Sequence, residues 1–204
     1  MIRVLLVHDS RLLRSALAER LARETDLEVW HTSWDGAPTR MRTLRPDLCV
    51  ADLDCDAVYA VPPLGKLAAC AATARPGGCS LLVLGGPGRP GPLRRAAEVD
   101  ALGYVDKASP PERLLTAIRQ VARGERFIDA SLGFGFLKAS QMPLTRRELS
   151  VLSLAAEGAS VAEIADRLHL SNGTVRNYMA AITRKTGARN RVDAIRISQG
   201  EGWV

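Results

Sequence analysis

The chain has 204 residues, 47% of them hydrophobic and 25% charged, with a formal net charge of +6, so it can fill real cores and disorder is excluded as a default. It contains no run of about 18 apolar residues, which excludes a transmembrane helix, and residues 1–7 meet His8-Asp9 too soon for a signal peptide. A cytoplasmic protein without a membrane partner is expected, and Cys49, Cys55, Cys70 and Cys79, which lack metal-type spacing, read as reduced packing residues.

Short apolar runs at 3–7, 27–30, 48–52, 80–84 and 103–105 predict five strands. Helical segments at 10–23, 38–44, 64–72, 92–98 and 110–123 separate or follow them. The strands are apolar throughout rather than alternating, which suits a parallel sheet covered on both faces. Five such units make a doubly wound α/β domain over residues 1–124, with its chemistry at the carboxyl ends of the strands. Ser109-Pro110-Pro111-Glu112 has the form of a capping box with proline at the helix start, and Gly124 can close the far end. Residues 125–141 lose periodicity, contain Gly133 and Gly135, and read as a linker. Trp30, Trp34 and Trp203 read as packing residues.

Residues 142–204 predict an all-α domain of four helices. Thr145-Arg146-Arg147-Glu148 and Ser160-Val161-Ala162-Glu163 both have the capping-box form. Ser171 can cap a third helix whose apolar residues Val175, Met179 and Ile182 are spaced by four and three, and Asn190 can cap a fourth. Two short helices joined by a tight turn, the second with Arg176, Asn177, Arg184 and Lys185 on its outer side, form a helix-turn-helix. Residues 171–199 hold six cationic side chains against Asp193 alone, which points to double-stranded DNA as partner. Arg pairs with guanine and Asn with adenine in the major groove, so Arg176 and Asn177 are the candidate base readers. Ser171 and Asn172 open the helix at the groove, and Thr174, Tyr178, Arg184, Lys185 and Arg191 are candidate phosphate contacts.

The strings LTRRELSVL, EGASVAEIADRLHLSNGTVRNY and NRVDAI closely resemble the DNA-binding half of NarL/LuxR (FixJ)-type response regulators, and the resemblance extends over essentially the whole chain. GTVRNY together with the ending GEGWV looks most like the DesR-type branch. The resemblance implies a flavodoxin-like receiver that accepts a phosphoryl group, and it places Ala180 on the groove-facing side of the third helix. It aligns Asp52 with the phospho-accepting aspartate, Lys107 with the lysine that neutralises the phosphoryl charge, and Tyr104 with the switch aromatic. Asp9 and Asp52 would be the direct ligands of a magnesium ion, the one cofactor implied.

Three departures from that pattern concern its chemistry. His8 stands where an outer acid belongs, Gly85 where strand four should end in a hydroxyl, and Leu53-Asp54-Cys55-Asp56 lacks the usual Met-Pro-Gly. The missing hydroxyl removes a charge-assisted hydrogen bond of about 1.5–3 kcal/mol, a large share of the roughly 5.5 kcal/mol that a full population switch needs. The reading is a sequence-specific transcriptional regulator with an atypical, phosphorylation-impaired receiver. The alternative is a conventional two-component regulator phosphorylated on Asp52 by a histidine kinase. Gly85, Gly86 and Gly88 are not followed by a P-loop lysine, and no nucleophile–base pair or metal cluster is visible, so an enzyme is not expected. One small module reads few base pairs, so a homodimer is expected, through segments 10–23 and 110–123 or through 191–199.

Overall fold

Strands that are apolar at every position are satisfied only between two helical layers, and residues 2–128 adopt that arrangement in the computed structural model, which describes residues 1–54 and 63–204. β1 (Ile2–Val7), β2 (Leu27–Thr32), β3 (Leu48–Asp52), β4 (Ser80–Gly85), β5 (Gly103–Asp106) and β6 (Phe127–Ile128) form one sheet in the order β2-β1-β3-β4-β5-β6. Every pairing is parallel. The helices between them are α1 (Arg11–Ala22), α2 (Ala37–Leu44), α3 (Leu64–Thr73), α4 (Pro90–Glu98) and α5 (Pro111–Ala122). Successive strand side chains point to opposite faces. Val4 and Leu6 therefore share a core with Leu21 of α1 and Ile118 of α5, whereas Leu5 and Val7 share one with Met41, Leu67 and Leu93 of α2, α3 and α4. The winding direction reverses between β1 and β3, and such a reversal opens a crevice at the carboxyl ends of the strands. Asp52 ends β3 there, and His8 and Asp9 follow β1.

Three expectations need correction. The sheet has six strands rather than five, because residues 125–141 are not a bare linker: they carry β6, a 3-10 turn (Ala130–Leu132) and α6 (Gly133–Gln141). A two-residue strand is too short to show periodicity. α6 packs on α4 closely enough that a Cβ on Gly135 would fall 2.7 Å from a Leu93 methyl. The capping box expected at 109–112 does not form either. The helix begins at Pro111, one residue later than that box requires, and Ser109 Oγ instead donates to Asp129 Oδ2 at 2.7 Å. Cys55 and Asp56 lie outside the described residues.

The second unit consists of α7 (Arg146–Ala156), α8 (Val161–Leu168), α9 (Asn172–Thr186) and α10 (Arg191–Gly200) around Leu152, Ile164, Val175, Met179 and Ile182. The capping boxes of Thr145 with Glu148 and Ser160 with Glu163 are both complete. Asn190 accepts from the Asp193 amide at 2.9 Å. His169, in the left-handed region at φ 54°, makes the tight turn from α8 to α9. No helix among the described residues is long and apolar enough to cross a membrane.

Candidate nucleic-acid interface and receiver pocket

The start of α9 is fixed by its own side chains. Ser171 Oγ accepts the Thr174 amide at 3.1 Å and lies 2.9 Å from Thr174 Oγ1, while Asn172 is exposed in the first turn. Burial of Val175, Met179 and Ile182 turns Arg176, Asn177, Ala180 and Arg184 outward, and all four are exposed. The side chains of Arg176, Asn177 and Arg184 have no hydrogen bond or ion pair among the described residues. Such donors are free for phosphates and base edges. Tyr178 is half-buried against the helical core.

The other expected phosphate contacts are held by the fold. Lys185 Nζ donates to Glu148 Oε2 at 2.7 Å, and the same carboxylate oxygen accepts the Thr145 amide at 2.6 Å. Burial pushes the Glu148 carboxyl up, but Lys185 and Thr145 outweigh it and hold the group below the usual carboxylate range. Arg191 Nη2 donates to the Ala159 carbonyl at 2.6 Å. Arg189 and Arg196 both pair with Asp193, at 3.3 and 3.0 Å. Of the six cations counted in the sequence, Arg176 and Arg184 are therefore the two whose side chains have neither an ion pair nor a hydrogen bond among the described residues, while Arg191 keeps its charge but is held by a carbonyl.

In the receiver crevice the charges are matched internally. Asp52 is 1% exposed. Its Oδ1 accepts from Lys107 Nζ at 2.7 Å and the Asp54 amide at 3.2 Å, and His8 Nε2 lies 3.1 Å from its Oδ2. The Ser10 amide donates to His8 Nδ1 at 3.0 Å, which assigns the imidazole proton to Nε2, the nitrogen that faces Asp52. Burial holds the His8 pKa below its ordinary value despite the neighbouring Asp52 carboxylate, in keeping with that neutral form. Lys107 also lies 3.3 Å from Asp54 Oδ2. Burial lowers its pKa, but the two carboxylates overcome that and keep it raised.

Asp9 Oδ1 accepts the Trp34 amide at 3.0 Å, and its Oδ2 is buried without a partner among the described residues. A Cβ on Gly85 would sit 3.6 Å from Leu53 and Leu93 methyls, so a larger residue fits there, but between apolar neighbours. Tyr104 is 2% exposed and edge-on to Phe136 of α6, with ring centroids 5.0 Å apart, and burial pushes its hydroxyl up to about 12. Magnesium needs a near-octahedral set of oxygens. Among the described residues no three His, Cys, Asp or Glu side chains converge on one point, but the ion usually takes one or two carboxylates and completes its shell with waters. Asp52 and Asp9, with its buried, unpartnered Oδ2, are the side chains that would hold it, and Lys107 already donates to Asp52 Oδ1.

Sequence reasoning missed Glu148 and Phe136 as parts of these sites. Glu148 was visible only as a capping residue, and Phe136 lay in the stretch read as linker. A model of bacterial regulatory proteins of the luxR family matches residues 142–198. The response regulator RamR of Streptomyces coelicolor is 51% identical over 205 residues, covering 100% of this chain and 98% of its own length. The transcriptional regulatory protein DesR of Bacillus subtilis is 36% identical, covering 100% of this chain and 99% of its own. RcsB of Salmonella enterica serovar Typhimurium, solved on promoter DNA with a beryllofluoride phosphomimetic, shares the fold with a TM-score of 0.76 at 20% identity, over 98% of this chain and 99% of that one.

Proposed function

The chain belongs to the LuxR family of bacterial response regulators, DNA-binding regulators of transcription, and on that premise we propose that it reads a specific duplex through α9 while its receiver is impaired as a phosphoryl switch. Arg176 and Asn177 contact base edges, and Arg184 and the exposed start of α9 at Ser171 and Asn172 contact phosphates. The observation that supports the receiver reading is the crowding of Asp52: Lys107 donates to one carboxylate oxygen and the His8 imidazole lies 3.1 Å from the other, where an outer acid is expected. A phosphoryl group on Asp52 would have to displace His8, and Gly85 offers no hydroxyl in return. DNA binding then requires a homodimer that forms without modification. α1 supports this by exposing Leu12 and Leu13, 79% and 57% accessible, and Arg20 of α1 pairs with Glu112 of α5 at 3.6 Å, so the two helices offer one continuous surface.

The test is incubation of the full chain with acetyl phosphate and magnesium, read by intact mass. Little or no adduct is expected on the native chain, and more on the His8→Asp, Gly85→Thr double variant. Stoichiometric, stable phosphorylation of the native chain, with a large rise in DNA affinity, would establish the conventional kinase-driven reading instead.

A further inference from the structure

A cleft of about 610 Å³ lies between the two halves of the molecule, and neither Asp52 nor His8 nor Lys107 lines it. One wall is the first turn of α3, at Leu64, Gly65 and Lys66, together with Arg95 of α4. The other comes from α7 and α8, with Leu154 and Leu168. Its volume is within the range of small-molecule sites, about 300–1,000 Å³. The halves are docked around it by direct bonds. Arg94 donates to the Leu144 carbonyl at 2.8 Å, and the Gly91 amide donates to the Gly202 carbonyl at 3.3 Å.

The charges of the cleft sort themselves. Arg146 pairs with Glu98 at 3.1 Å and Arg167 with Glu157 at 2.9 Å. Lys66 and Arg95, which also line it, have no such partner among the described residues. Arg95 Nη1 is buried with nothing to accept its hydrogens among the described residues, and burial, with Arg89 nearby, lowers the guanidinium pKa to about 10 against the opposing pull of Glu98 and Asp54. A buried guanidinium nitrogen without an acceptor is a rare feature of a folded protein. Beside it begins α3, where the Pro63 carbonyl accepts the Lys66 and Leu67 amides at 3.0 and 3.1 Å and leaves those of Leu64 and Gly65 without an acceptor among the described residues, at the helix end whose dipole favours an anion. Val99, Leu154 and Leu168 supply an apolar surface alongside these donors.

We propose that this interdomain cleft binds a small carboxylate with an apolar body, its head held by Arg95, Lys66 and the start of α3 and its body lying against Leu154 and Leu168. Glu98 and Glu157 leave only two unpaired positive charges in the lining, which suits one carboxylate better than a multiply charged phosphate. Because the walls belong to both halves, such a ligand binds the docked arrangement preferentially and favours it by mass action. That would give the receiver an input separate from Asp52. The proposal does not depend on how Asp52 behaves.

Calorimetric titration of the full chain with octanoate tests it, with octanamide as the uncharged counterpart. Saturable one-to-one binding of octanoate is expected, with octanamide at least about tenfold weaker, since hydrogen bonds to charged groups are the strong ones. Arg95→Gln should weaken octanoate by a similar factor. Lys66→Gln, at an exposed position that does not threaten the fold, should weaken it severalfold, and Arg123→Gln on the far side of the receiver should not. No saturable octanoate binding, equal affinity for octanamide, or unchanged affinity in both Arg95→Gln and Lys66→Gln would each overturn the assignment. The acetyl phosphate experiment reads a different pocket, so failure of one proposal leaves the other standing.

Discussion

The receiver crevice and the outer face of α9 are both rich in charge, but they hold it in opposite ways. In the crevice, Lys107 donates to Asp52 and reaches Asp54 as well, and the His8 imidazole lies 3.1 Å from Asp52. On α9, Arg176, Asn177 and Arg184 point outward with no partner among the described residues. A group already satisfied inside the protein must lose a bond before it can serve a ligand, whereas an unpaired one gives up only water. The contrast therefore separates donors left open to water from a cation already placed against a carboxylate of the chain, and on the proposed reading only the first are offered to an external anion.

The largest effect that could break this contrast is at Arg176. Arg176→Ala should cost about 1–3 kcal/mol of affinity for a specific duplex and relax preference at one base pair, measured by fluorescence anisotropy across a set of single-base variants. Intact affinity and preference would mean that the unpaired arginine does not face the groove. Next comes the difference between neighbours on one helix. Arg184→Ala should flatten the salt dependence of DNA binding by about one unit. Lys185→Met should act chiefly on folding, because it leaves the Glu148 carboxylate, 6% exposed, without its cation. A loss of about 1–2 kcal/mol in urea unfolding is expected. If Lys185→Met instead changed the salt slope as much as Arg184→Ala with no loss of stability, the division between held and free charges on α9 would be wrong.

In the crevice the expected effect on DNA binding is small. Asp52→Asn should change affinity by less than about threefold, or ~0.65 kcal/mol, since on the proposed reading Asp52 takes no phosphoryl group and transmits little to α9. Sedimentation of the same variant should show the native assembly state. A tenfold loss of affinity, or a dimer lost, would restore Asp52 to a switching role.

The way each region was legible in the sequence follows the same division. Thr145, Ser160, Ser171 and Asn190 act within three residues of themselves, so their caps could be read directly, and the uniformly apolar runs gave the parallel sheet. β6 and α6 could not be read, because two residues show no period and α6 leaves Phe134 and Leu137 exposed, 64% and 62%, which blurs its apolar face. Charge was legible as a number but not as a partner. Lys185 reaches Glu148 across 37 residues and Arg191 the Ala159 carbonyl across 32, distances over which periodicity says nothing. His8 was readable as a substitution, but its contact with Asp52 depends on β1 and β3 being neighbours in the sheet.

The smallest expected effect sharpens the contrast from the side of folding. Glu148 is held below its ordinary pKa in the folded chain by Lys185 and Thr145, against the upward push of burial. The unfolded chain therefore binds more protons than the folded one between the depressed and the ordinary value, and stability rises with pH across that window. The contribution is complete above the ordinary carboxylate pKa and disappears as pH falls through the depressed one. Glu148→Gln removes the titration but keeps a residue that can complete the capping box with Thr145, so helix geometry is preserved. Urea midpoints of the full chain at about pH 5.5 and pH 3.5 should therefore differ less in Glu148→Gln than in the native protein, because one carboxylate no longer loses its advantage on acidification. An identical pH dependence in the two chains would mean that Lys185 does not stabilise the Glu148 carboxylate in solution. Lys185 would then be free to reach a phosphate, and the line drawn along α9 between charges kept by the fold and charges offered to DNA would have to move by one residue.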